Sequence, residues 1–119
     1  MKKIWHLSTC STCERIIKEL DLKKRGFVFQ NIREEKITPV QLDRMKEMSG
    51  SYEALFSRVA LKYRSLKLNE MQLSEKDYRR YILQEDTFLK RPVVIFSGKI
   101  FIGNTPKNIL ALKKALDDE

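Results

Sequence analysis

Ser8-Thr9-Cys10-Ser11-Thr12-Cys13-Glu14 decides how this chain is read. The stretch holds both cysteines of the protein. It stands where the apolar run Ile4-Trp5-His6-Leu7 gives way to the helical pattern Arg15-Ile16-Ile17-Lys18-Glu19-Leu20. A strand feeding a helix, with Cys-x-x-Cys at the junction, suits thiol redox chemistry. The first turn of a helix has unpaired N–H groups and the positive end of the helix dipole, so a thiolate is favoured there over a thiol. Cys13 lies one turn beyond Cys10 on the same side, within reach of a disulfide. Two plainer readings stay open. The blander is two small buried apolar residues that happen to be cysteine. A closed zinc site needs four ligands, and two cysteines with the single His6 fall short unless carboxylates complete it.

Working outward, Lys3–Leu7 reads as a central strand because it is nearly all apolar. Ser11 or Thr12 is the expected cap of the next helix, which buries Ile16, Ile17, Leu20 and Leu22, takes Lys23-Lys24-Arg25 at its negative end and stops at Gly26. Phe27–Ile32 reads as a second strand, and the β-α-β order implies a right-handed crossover with the two strands parallel. Thr38 to about Glu85 shows no strand pattern. Thr38 caps a helix with Pro39 at its first position and Val40, Leu42, Met45 and Met48 as its apolar side, closed by Gly50. Short helical turns follow at Ser51–Phe56 and Leu61–Leu66. Ser74 and Asp77 then form a near capping box for Glu75–Leu83, which buries Tyr78, Tyr81 and Ile82. Val93–Phe96 and Lys99–Ile102 make a hairpin around Ser97-Gly98, and Thr105-Pro106 start a last helix that carries Ile109, Leu110, Leu112 and Leu116.

The expected architecture is therefore α/β: β-α-β, a helical insertion at about 38–85, then β-β-α. This is the thioredoxin-like plan of a four-stranded mixed sheet, here as a single domain spanning 1–119, and fold alone does not fix function. No apolar run approaches the ~20 residues that span a membrane, and His6 with the Ser/Thr/Cys cluster interrupts any signal-peptide core, so the expected location is cytoplasmic. The net charge of +8 comes from 24 basic and 16 acidic residues mixed over most helices. No aromatic residues are interleaved as a stacking platform for bases requires, so the charge reads as solvated helix faces. No apolar stripe exceeds what one core needs, which points to a monomer.

Four places together resemble the arsenate reductase (ArsC) family, which also contains Spx-type regulators: His6…Cys10, Ala54-Leu55-Phe56-Ser57-Arg58, Lys90-Arg91-Pro92 before an apolar strand, and Gly103-Asn104 before the last helix. The resemblance covers essentially the whole chain. It implies that Cys10 is the nucleophile, that His6 helps hold it as a thiolate, and that Arg58 and Arg91, with Thr12 on the first helical turn, line an anion site. Arginine fits that role because it combines positive charge with forked donors. The plainer readings are a half-buried strand residue for His6 and a surface salt bridge for Arg58. Pro92 is expected to be cis and to pack beside the active-site cysteine; an ordinary strand-start proline is the alternative. Two departures matter. Where dedicated arsenate reductases of this type carry a third arginine, this chain has Gly103. They also usually lack the second cysteine, whereas Cys13 resembles the redox pair of the Spx-type and related reductases.

The resemblance thus implies a thiol-dependent oxidoreductase. Cys10 attacks an oxyanion such as arsenate or an oxidised thiol, and Cys13 resolves the adduct through an intramolecular disulfide. No bound cofactor or metal is implied; glutathione or a thioredoxin/glutaredoxin-type protein is the expected reductant. The alternative is a Spx-type redox regulator that binds RNA polymerase without turnover. Against it stands the ending of the chain at Asp117-Asp118-Glu119, directly after the last helix.

Overall fold

The computed structural model describes residues 1–119. Strand β1 (Lys2–His6) is followed by helix α1 (Ser11–Glu19), strand β2 (Val28–Asn31) and helix α2 (Pro39–Ser49). Then come α3 (Leu61–Ser65), α4 (Glu75–Gln84), β3 (Val93–Phe96), β4 (Lys99–Ile102) and α5 (Pro106–Asp117), with short 3₁₀ turns at Glu53–Leu55, Leu68–Glu70 and Asp86–Phe88. The strands form one mixed sheet in the order β2-β1-β3-β4. β1 runs parallel to β2 and antiparallel to β3, and β3 is antiparallel to β4. This is the four-stranded thioredoxin-like arrangement that the element order predicts, with β1 and β3 central.

The chain divides into two compact units, residues 1–35 with 91–119, and residues 36–90. The helical insertion expected at about 38–85 falls within the second.

In the first unit, alternation along β1 sends Ile4 to one face of the sheet and Trp5 to the other. Ile4 packs with Ile16, Ile17 and Leu20 of the α1 segment, with Val94 and Phe96 of β3, and with Leu112 and Leu116 of α5. Each fully buried aliphatic side chain contributes about 1.5–3 kcal/mol, so this cluster fixes α1 against the sheet. The hairpin is tight. Ser97 (φ 54°) and Gly98 (φ 72°) both take positive φ, as the twist of a two-residue β-turn requires. Lys2 ties the two chain ends together through its ammonium, which donates to the Arg25 carbonyl and to Glu119.

Helix α1 differs from expectation at both ends. Its N-cap is Cys10 rather than Ser11 or Thr12. It stops at Glu19, before the basic run Lys23-Lys24-Arg25, because Asp21 turns into the left-handed region (φ 54°). Leu20 and Leu22 are still buried, carried inward by the turn rather than by a helical face.

In the second unit, Thr38 with Gln41 and Ser74 with Asp77 each form a capping box. Pro39 stands at the first turn of α2, and Gly50 closes that helix in the left-handed conformation (φ 96°). The core is aromatic: Phe56 stacks on Phe88 (5.1 Å between centroids) and meets Tyr63 and Tyr78. Val40, expected on the apolar side of α2, is instead 79% exposed, while Leu42 and Met45 carry the burial. Leu110 of α5 is likewise exposed.

Candidate functional site

The loop between β1 and α1 is short and fixed at both ends. Cys10 N–H donates to the Leu7 carbonyl (2.9 Å), and Glu14 N–H donates to the Cys10 carbonyl (3.2 Å), the first bond of the helix. Asn31, at the end of the neighbouring strand, accepts from Ser8 N–H at its side-chain oxygen (3.2 Å) and so pins the loop from the β2 side. The sequence reading did not single out Asn31. Its signal is an amide side chain at the last position of a strand paired to the loop-bearing strand, where His6 and Asn31 are register partners.

The cap of α1 is the thiol itself. Cys10 has extended backbone (φ −91°, ψ 102°), and its Sγ accepts from Cys13 N–H at 3.4 Å. A sulfur is a weaker acceptor than the Ser, Thr, Asp or Asn oxygen that usually fills this position. Any negative charge on Cys10 therefore faces a backbone donor and the N-terminal end of the helix dipole. Both cysteines are free thiols; Cys10 is half-buried and Cys13 buried. Burial pushes the Cys13 thiol up to about 12, with the neighbouring Cys10 adding to the rise and a backbone hydrogen bond and the charge of Arg91 opposing it. The two thiols are thus chemically unequal, the outer one accessible and the inner one held protonated.

Arg91 precedes β3, joined to Pro92 by a cis peptide bond, the isomer expected at this position. Its guanidinium is within electrostatic reach of Cys13. Its Nε and Nη1 are buried without a hydrogen-bond partner. Buried polar groups are nearly always satisfied, and an unpaired guanidinium donor is costly. Each of these two nitrogens is a charged donor that an oxyanion would satisfy. The structure therefore brings Cys10, Cys13 and Arg91 into one site, with Thr12 on the first turn of α1 between the cysteines.

The other predicted residues have different surroundings. His6 is half-buried, edge-on to Phe29 with 5.7 Å between ring centroids. Burial lowers its pKa from the ordinary value, and the charge of Glu34 partly offsets this. Phe29 lies on β2 and Glu34 just beyond it, so these neighbours of His6 are on the β2 side. Arg58 belongs to the helical unit and is already engaged. Its Nη2 donates to Glu53 (2.6 Å) and to the Tyr78 hydroxyl (3.0 Å), which is the surface ion pair of the plainer reading. Gly103, in place of the third arginine, has φ 86°, and its N–H donates to the Pro92 carbonyl (2.8 Å). No cluster of three or more His, Cys, Asp or Glu side chains is placed to hold a metal ion, and no helix is long and apolar enough to cross a membrane.

A sequence profile of the ArsC family matches residues 5–112. No curated protein matches the chain. Among solved structures, an arsenate reductase from Vibrio cholerae is 20% identical, with a TM-score of 0.77 over 92% of this chain and 95% of the other. An arsenate reductase (ArsC) related protein from Brucella melitensis is 22% identical, with a TM-score of 0.71 over 92% of each. A protein from Streptococcus mutans described as a "possible arsenate reductase" is 26% identical, with a TM-score of 0.69 over 84% of this chain and 87% of the other.

Proposed function

We propose, on the premise that this chain belongs to the ArsC family, that it is a thiol-dependent reductase in which Cys10 is the nucleophile and Cys13 resolves. The observation that carries this reading is the inequality of the two thiols. Cys10 caps its own helix at 3.4 Å from Cys13 N–H, while Cys13 is buried and held protonated with a pKa of about 12. Nucleophile and resolver need these opposite settings. The first must attack without delay, and the second must wait until an adduct exists.

With a disulfide substrate the electrons balance as follows. The Cys10 thiolate attacks one sulfur, forming a mixed disulfide and expelling the other sulfur as a thiolate. Cys13 then loses its proton and attacks Cys10 Sγ, which expels the second substrate sulfur. The products are two thiols and a Cys10–Cys13 disulfide, so two electrons have passed from the protein to the substrate. Glutathione or a dithiol protein of the thioredoxin or glutaredoxin type reverses the oxidation by the same exchange. Arg91 holds a carboxylate or another anionic group of the substrate beside the sulfur under attack.

Oxidised thiols fit better than arsenate. Gly103 stands where dedicated arsenate reductases of this type carry a third arginine, and its positive φ (86°) disfavours a side chain there. The unpartnered donors of Arg91 support an oxyanion as the second substrate class.

A Cys13→Ser protein tests the scheme. Mixed with an oxidised low-molecular-weight thiol, it should accumulate one adduct on Cys10, visible by mass spectrometry, while the wild type passes on to the internal disulfide. Absence of both adduct and turnover, together with polymerase capture only by the oxidised wild type, would establish the regulatory alternative instead.

A further inference from the structure

A concavity beside α1 is lined by none of Cys10, Cys13 and Arg91, the residues just assigned a role. It has a volume of about 340 Å³ and is lined by residues of the sheet-bearing unit alone. Phe29 and Ile17 form its apolar floor, with His6 edge-on to Phe29. Around it stand Glu14, Lys18, Asp21 and Lys23, two carboxylates and two ammonium groups.

Three features distinguish this from an ordinary charged helix face. None of the four charged side chains takes part in the chain's ion pairs, although Glu14 and Lys18 have the i, i+4 spacing that commonly pairs. Asp21 is held in the left-handed conformation (φ 54°), which costs a non-glycine residue about 1 kcal/mol. This conformation stops α1 and places the Asp21 carboxylate on the lining of the cleft rather than on a further helical turn. The charges also alternate in sign along the chain, Glu14 and Lys18 within α1 and Asp21 and Lys23 beyond its end. At 1.5 Å per residue, Glu14 and Lys18, both within α1, are offset by about 6 Å along its axis.

We infer that this cleft binds a small zwitterionic peptide of dipeptide size with an apolar side chain. Its ammonium meets Glu14 or Asp21, its carboxylate meets Lys18 or Lys23, and its side chain rests on Phe29 and Ile17. The chemistry follows from the lining. A purely anionic ligand would face two carboxylates, and a purely cationic one two ammonium groups. A molecule carrying both charges about 6 Å apart, the span of an extended dipeptide, matches the offset of Glu14 and Lys18 along α1. The volume lies near the lower end for small-molecule sites, which suits a dipeptide better than a nucleotide. Burial keeps His6 biased towards the neutral imidazole, so the floor adds a donor and an acceptor without a third positive charge. The assignment does not depend on the chemistry of Cys10, and it gives His6 a role apart from the thiol.

Leucyl-glycine is a suitable probe, compared with N-acetyl-leucyl-glycine, which lacks the ammonium, and leucyl-glycinamide, which lacks the carboxylate. Titration into ¹⁵N-labelled protein should move the amide signals of His6, Ser8, Lys18 and Phe29, with a dissociation constant on the order of 0.1–1 mM, as expected for a ligand of this size. Each capped analogue should bind about tenfold more weakly, the loss of one charge-assisted contact. Asp21→Asn should weaken leucyl-glycine about tenfold while keeping the fold, because Asn tolerates the left-handed region as Asp does. Lys18→Gln, on the exposed face of α1, should do the same. Equal binding of the three probes, shifts that bypass His6 and Phe29, or no shifts at about 10 mM would overturn the assignment. The cysteine chemistry is read separately, by adduct formation on Cys13→Ser.

Discussion

Both compact units pair surface charges, Lys2 with Glu119 and Arg25 with Asp117 in the sheet-bearing one, but they differ at one helix start and one set of buried donors. In the helical unit, residues 36–90, cations find acids. Arg58 pairs with Glu53, Lys62 with Glu85, Arg79 with Asp43 and Arg80 with Asp77. Both of its longer helices start with a hydroxyl cap in a complete capping box. The sheet-bearing unit breaks these local rules in one neighbourhood. It caps α1 with a thiol and leaves two guanidinium nitrogens of Arg91 buried without partners. A sequence that specifies one fold keeps its local choices consistent, and the violations gather where chemistry is done. On the function proposed above, the contrast separates a unit built for stability from a site that gives up stability for reactivity.

The sharpest way to break this comparison is Cys10→Ser. Reductase activity should fall by at least about 10³-fold, since the nucleophile is lost. Stability should rise by about 0.5–1 kcal/mol, because a hydroxyl is a better N-cap than a thiol. Turnover and urea midpoints measured on the same preparation give both numbers, and a destabilised Cys10→Ser would show that the cap is not compromised for function. Arg91→Met comes next. The ratio kcat/KM for an anionic substrate should drop roughly 10²-fold, as for the loss of one preorganised charged donor. Thermal stability should hold or increase, because a half-buried guanidinium with two unpartnered nitrogens is replaced by an apolar chain of similar length. A large fall in melting temperature would mean that Arg91 is structural.

Thr38→Ala supplies the converse. Removing the hydroxyl from a complete capping box should cost about 1 kcal/mol in denaturant unfolding, with turnover unchanged. Loss of activity in that variant would show that the two units are not separable in this way. The smallest effect concerns His6. Its pKa is lowered in the folded chain, chiefly by burial, so the stability tied to its neutral form is present above the unfolded value near 6.5 and is lost as pH falls through the lower folded value. Urea midpoints should therefore decline as the pH drops below about 6.5, and His6→Asn should flatten that part of the profile. An unchanged profile would place the acid sensitivity elsewhere.

Much of this is legible in the sequence. The hairpin was readable because Val93-Val94-Ile95-Phe96 is β-branched and apolar, and Ser97-Gly98 supplies the turn. The starts of α2, α4 and α5 were readable because Thr38, Ser74 and Thr105 precede helical patterns, two of them opened by proline. The errors came where a local signal competed with a tertiary one. Lys23-Lys24-Arg25-Gly26 looks like a helix C-terminus, yet α1 ends at Glu19 because Leu20 and Leu22 reach the core by leaving the helix at Asp21. Val40 and Leu110 have the right period and still face solvent, since periodicity assigns a face but not what lies against it.

The sequence by itself determined the order of elements, the mixed sheet and the pairing of two cysteines at a helix start, because these follow from periodicity, capping and spacing within a few residues. Only the tertiary structure decided which groups are left unsatisfied. That Cys13 is buried and held protonated, that Arg91 lacks partners while Arg58 has two, and that Glu14, Lys18, Asp21 and Lys23 surround a cleft floored by Phe29 all depend on burial and on neighbours distant in the chain. Desolvation and electrostatic pairing are properties of that packed environment and have no fixed sequence spacing.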